Sequence, residues 1–175
     1  MLKVMFLLFC NEFIGYRTSM GHPRLYVNSV EFHSNPVMAN GTTWLSDNRS
    51  INAIFNIGKD LKTMRVVFKV DLTRGRRKFY SANITRDYCD SMKFLKGNGM
   101  WQMIYHAFFQ VTNFSLSCPI PKSTYYVRKM VFPDHLLPVY MPALNFVAET
   151  KCFFQPYPKV DELFLKYISR GEIIP

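Results

Sequence analysis

Three features of the sequence predict an all-β domain, an immunoglobulin-like two-sheet β-sandwich with one helix inserted around residues 99–111. Apolar and polar residues alternate with period two in several short runs. Turn residues separate those runs, and one stretch alone switches to helical spacing. With 175 residues, 49% hydrophobic and 19% charged, the chain is long enough for one domain with a sizeable core.

Residues 1–21 stand apart. Lys3 gives a basic start, Val4 to Cys10 is an unbroken apolar run, and Ser19-Met20-Gly21 puts small residues at −3 and −1 of a cleavage point. That is the layout of a secretory signal peptide, leaving residues 22–175 as the mature domain. The alternatives are a buried first strand and a membrane anchor. An anchor needs about 20 apolar residues, and no segment supplies them, so no membrane span is expected.

The next strands are expected at 25–32 and at 51–57, the latter with Ile51, Ala53, Phe55 and Ile57 inward. The clearest alternation lies at 62–72, where Met64, Val66, Phe68, Val70 and Leu72 interleave with Thr63, Arg65, Lys69 and Asp71. One face must be buried and the other wet. Residues 73–76 contain Gly75, and 77–85 alternates again with Tyr80, Ala82 and Ile84 on one face, so the pair reads as a hairpin. Its Arg74-Gly75-Arg76-Arg77-Lys78 tip is a basic cluster best read as a solvated turn.

From 99 to 111 the period changes. Met100, Met103, Ile104, Ala107, Phe108 and Val111 form one helical stripe, and Trp101, Tyr105 and Phe109 form a second. A helix lying on a sheet needs only one such face, so the second stripe is a candidate wall for an apolar ligand. Its competitor is an ordinary aromatic-rich core. Further strands are expected at 123–132, 144–154 and 162–169. Pro119, Pro121, Pro133, Pro138, Pro142, Pro156 and Pro158 should cut this half into short, edge-favouring segments.

The chain carries no nucleophile-elbow, phosphate-loop, dinucleotide, zinc-protease or calcium-loop motif. His22, His33, His106 and His135 are scattered without metal-ligand spacing. No enzyme activity, metal or cofactor is expected. The positive signal is apolar: sixteen Phe, ten Tyr, ten Met and two Trp, more than a core of this size obviously needs. The net charge is +10, and +9 once Lys3, Arg17 and Glu12 leave with the signal. Such a surface suits an anionic lipid, an acidic glycan or a receptor, and nucleic acid is not expected outside the cell.

Four sequons, at Asn40, Asn48, Asn83 and Asn113, mark glycosylation positions on an exported chain. Cys10 lies in the signal, so Cys89, Cys118 and Cys152 remain. An odd number means one pair and a leftover thiol, or a bond to another chain.

The stretch from Asn83 through Thr85, Asp87 and Cys89 to Phe94-Leu95 resembles an N-x-T-x-D-x-C-x-F-L segment. Asn113 to Cys118-Pro119, with the following Tyr125 to Pro138, resembles a CP…Y…P…LP block. Both are features of the insect CheB-like family of small secreted chemosensory proteins, itself distantly similar to the ganglioside activator protein and the ML lipid-recognition fold. The resemblance implies a sandwich whose sheets hold a lipid or a cuticular-hydrocarbon-like pheromone. It also implies a Cys89–Cys118 disulfide, with Phe94 and Leu95 beside the helix. Many members carry further cysteines near the N-terminus; residues 25–40 have none, which leaves Cys152 without an obvious partner. The expected ligand site is therefore Phe94, Leu95, Trp101, Tyr105, Phe108 and Phe109. The competing expectation is an interaction module with a filled core and a basic docking face.

Overall fold

A computed structural model of the chain describes residues 22–94, 108–114, 118–157 and 160–175. Its strands are β1 (Arg24–Ser34), β2 (Ala39–Leu45), β3 (Ile51–Ile57), β4 (Met64–Arg74), β5 (Arg77–Asp87), β6 (Ser123–Met130), β7 (Leu144–Tyr157) and β8 (Val160–Ile174). One helix, α1 (Tyr88–Phe94), follows β5, and a short 3₁₀ turn spans Asp134–Leu136. The strands form two antiparallel sheets, one in the order β1-β8-β7-β4-β5 and the other β2-β3-β6. The all-β, two-sheet sandwich is therefore the fold.

The alternation at 62–72 becomes β4. Its even-numbered side chains pair across the sheet with those of β7 and β5: Met64 with Phe154, Val66 with Cys152 and Arg86, and Leu72 with Phe146 and Tyr80. Those apolar side chains face the second sheet. The β4–β5 turn is a two-residue loop in which Gly75 takes a φ of 57°, a left-handed conformation that costs a side-chain-bearing residue more than glycine. A second glycine is required for another reason. A Cβ on Gly171 would come within 1.9 Å of the Tyr26 carbonyl oxygen, so only glycine lets β1 lie this close to β8.

One expectation needs correction, and two elements were not foreseen. β2 was not foreseen, because its inward positions are Ala39, Gly41, Thr43 and Leu45, too small and polar to give an apolar period. The second half is not broken into short strands: β7 and β8 are the longest in the fold, at 14 and 15 residues. Pro119, Pro121, Pro133, Pro138 and Pro142 fall between strands, and Pro156 sits where the β7–β8 register slips. The second unforeseen element is α1, which lies ahead of the expected helix. The Asp87 carboxylate accepts a hydrogen bond from the Asp90 amide at 2.9 Å and caps α1. Of the expected helix 99–111, residues 99–107 lie outside the described residues, while Phe108 and Phe109 are helical.

The core divides into two clusters at opposite ends of the sandwich. One gathers Met38, Ala39, Ile57, Leu61, Met64, Ile120, Tyr125 and Phe164. The other gathers Val27, Leu137, Leu144, Phe146 and Ile173. Cys89 and Cys118 are joined by a disulfide that ties α1 to the approach of β6 at the first end.

A candidate ligand strip between the sheets

The inner face of the five-stranded sheet carries two complete rows of side chains that join the two clusters, Val30 and Ala148 packing on the second. Cross-strand register sets Phe32 of β1 beside Tyr167 of β8, then Thr150 of β7, Phe68 of β4 and Ile84 of β5. The adjacent row runs Val30, Ser169, Ala148, Val70 and Ala82. Three of these five are small. On the facing sheet, the rows Gly41-Phe55-Tyr125 and Thr43-Ala53-Val127 are likewise rich in small side chains. The two inner faces therefore set small side chains among aromatic ones.

Exposure follows the same geometry. Ser169 is buried, yet Phe68 is 37% exposed and Tyr80, on the same face of β5, is 53% exposed. A five-stranded sheet is wider than a three-stranded one by two strand spacings, about 10 Å. β1 and β2 lie against each other at one edge. Among the described residues, the width left uncovered by the smaller sheet therefore falls at the opposite edge, on β4 and β5. Among the described residues, the strip is closed at its β1 end and open at its β5 end.

Aromatic rings line the closed part. Phe55 reaches across to Phe32 (ring centroids 6.5 Å apart) and also contacts Phe114 and Tyr125. The Tyr125 hydroxyl donates to the Pro121 carbonyl at 2.6 Å. The Tyr167 hydroxyl, in contrast, is shielded from solvent and has no hydrogen-bond partner. Burial pushes the Tyr167 phenol above its ordinary pKa, against a smaller opposing pull from the Ser169 hydroxyl. An unsatisfied buried hydroxyl costs about 1–3 kcal/mol. The two rows hold no histidine and no carboxylate. What they can do chemically is hold an apolar chain and offer hydroxyl groups to it. Among the described residues, no group of His, Cys, Asp and Glu could hold a metal.

The residues singled out in the sequence are only partly placed. Leu95, Trp101 and Tyr105 lie outside the described residues, as does the side chain of Phe94. Phe108 and Phe109 stack edge to face, 5.1 Å apart. They sit beside β6, because the Arg128 amide donates to the Val111 carbonyl at 2.8 Å and Thr112 bridges to Val127. Phe114, further along the chain, joins the aromatic lining through Phe55 and Tyr125. The row residues Tyr167, Ser169 and Thr150 were missed. Their sequence signal is faint: hydroxyls at inward positions of otherwise apolar strands.

Asn40, Asn48 and Asn83 are exposed, with Asn83 on the outer face of β5. The side chain of Asn113 is already engaged. Its amide donates to the Thr124 carbonyl at 3.1 Å, and its oxygen accepts from the Tyr126 amide at 2.7 Å.

The outer face of the large sheet is ionic, with five cations sharing three carboxylates. Asp71 pairs with Lys69 and Lys78, Glu149 with Lys151 and Lys166, and Glu31 with Arg170. At the hairpin tip, Arg74, Arg76 and Arg77 are exposed, and no ion pair among the described residues reaches them. No helix among the described residues is long and apolar enough to cross a membrane.

Fold and strip together define a disulfide-bonded two-sheet β-sandwich protein. More particularly, residues 64–148 match the family described as "Protein of unknown function (DUF1091)". That span takes in both cysteines of the disulfide and the open β4–β5 side of the strip, and it ends before Thr150, Tyr167 and Ser169. A comparison with curated proteins finds no match.

Proposed function

We propose that the protein is a secreted, N-glycosylated binding protein for an apolar ligand, a lipid or cuticular-hydrocarbon-like pheromone, acting in insect chemosensation. The observation that supports the binding reading is the strip: two rows of small and aromatic side chains on the inner face of the large sheet, exposed at Phe68 and, on the same face of β5, at Tyr80. Ligand sites are mostly apolar, with a few placed polar groups, and this face has that composition. The chemosensory setting rests on the resemblance of the Asn83–Leu95 and Asn113–Pro138 segments to the CheB-like family.

The test is native mass spectrometry of protein secreted from insect cells, paired with the variant Ala148→Phe. A co-purified lipid, lost in a variant that still folds, is the expected result. If the wild type carries no lipid and Ala148→Phe loses about 1–3 kcal/mol, as overpacking of a filled core does, the strip is core and the reading is wrong.

A second reading is favoured by Arg74, Arg76 and Arg77. In it the filled sandwich docks through this basic tip on an acidic glycan or receptor. Salt-sensitive retention on heparin, abolished by changing the three arginines to serine, is what it requires.

A further inference from the structure

We propose that the end of the sandwich carrying the β4–β5 turn docks on an anionic lipid surface, with arginines on the headgroups and exposed apolar side chains in the interface. The basic tip is the one named in the docking reading above. The inference goes beyond that reading by adding an apolar component, for which an acidic glycan has no use.

Two turns meet at this end. The β4–β5 turn carries Arg74, Arg76 and Arg77, all exposed and reached by no ion pair among the described residues. A bulge follows, with Thr73 opposite Lys78 and Leu72 opposite Tyr80, so Phe79 has no cross-strand neighbour and is 55% exposed. The second turn precedes β7. The Met141 amide donates to the Pro138 carbonyl at 3.0 Å, which sets Val139 and Tyr140 at the two corners. Both are exposed, Tyr140 by 88%. Leu137 and Met141, on either side of them, pack in the second core cluster with Leu72 and Leu144. The core thus fixes the base of this turn and does not use its tip. Thr73 also pairs with Asn145, so both turns leave the same end of the sandwich.

Exposed apolar residues are ordinary when scattered singly. Here Phe79, Tyr80, Val139 and Tyr140 share one end with three guanidinium groups. Asp71, the carboxylate nearest the tip in sequence, is already engaged by Lys69 and Lys78 and leaves the arginines unneutralised. Cations alone match an acidic glycan, and apolar side chains gain nothing in the water around it. A bilayer interface takes both groups, because anionic headgroups lie over the acyl boundary and amphipathic rings such as tyrosine are favoured there.

The experiment is flotation of the full chain with phosphatidylcholine vesicles, with or without phosphatidylserine, beside retention on heparin. One variant changes Arg74, Arg76 and Arg77 to serine, and a second combines Val139→Ser with Tyr140→Ser. An arginine at an anionic surface contributes about fivefold in affinity, so the first variant should bind the mixed vesicles about a hundredfold more weakly. The second should lose about tenfold or more on those vesicles and keep its heparin retention unchanged. Wild type should prefer the mixed vesicles to phosphatidylcholine alone by about a hundredfold. Equal binding of wild type to the two vesicles overturns the inference, and that comparison stands even if a variant does not fold. So does a folded Val139→Ser, Tyr140→Ser variant that binds the mixed vesicles like wild type. Heparin retention without vesicle binding also overturns it and leaves the glycan reading intact. Binding to neither rejects the basic tip as a docking site altogether.

Discussion

The Cys89–Cys118 bond offers the sharpest stability prediction, because the structure separates its effect on the folded state from its effect on the unfolded chain. The bond joins α1 to the segment entering β6 with a sequence separation of 29. That segment is anchored independently. Ile120 and Leu61 exchange two backbone hydrogen bonds of 2.8 Å, and both side chains are fully buried. Replacing both cysteines with alanine should therefore leave the native contacts in place and act mainly by freeing the unfolded chain. For a loop of this length, the chain-entropy relation gives about 3.6 kcal/mol at 25 °C. In a domain of this size each kcal/mol shifts the melting temperature by about 2–4 °C, so the expected fall is about 7–14 °C. The measurement is urea denaturation of wild type and the double variant, both with Cys152 intact. A loss below about 1 kcal/mol would refute the loop argument. So would peptide mapping that finds Cys152 bonded to Cys89 or Cys118.

Other expectations follow from contrasts within the fold. Phe164→Ala, at a side chain 1% exposed, should cost about 3–5 kcal/mol. Phe68→Ala, on the open part of the strip, should cost clearly less in the same denaturation assay while weakening ligand binding; equal costs would mean the strip is ordinary core. The Cys152 thiol is pushed by burial up to about 12. It should resist alkylation at pH 8 until the protein unfolds, and prompt labelling of the native protein would contradict the burial. The carboxyl of Asp71 is held below its ordinary value of 3.8 by Lys69, with Ser81 and Lys78. Its contribution is present above that pH and is lost as the pH falls below it, since the unfolded chain takes up the proton first. Asp71→Asn should therefore flatten the acid limb of stability below pH 4, and an unchanged limb would show that the pairs contribute nothing.

Local pattern determined much of this protein. The alternation of Met64 to Leu72, the Gly75 hairpin and the strands at 25–32, 51–57, 123–132 and 144–154 are all legible because side-chain direction in a strand has a period of two. The Cys89–Cys118 pair came from a resemblance between segments rather than from geometry. β2 escaped notice because Ala39, Gly41 and Thr43 are too small to announce a buried face, and α1 because its cap at Asp87 follows directly on a strand. The site belonged to the tertiary structure. Phe32, Tyr167, Thr150, Phe68 and Ile84 are scattered over more than a hundred positions of chain, and only the register between five strands brings them into one row. A strand's sequence tells which residues share its face, but not which residue of another strand lies beside each of them. Whether an inward side chain meets a neighbour or a gap depends on the facing sheet, and there the pairing of three strands against five left Phe68 open.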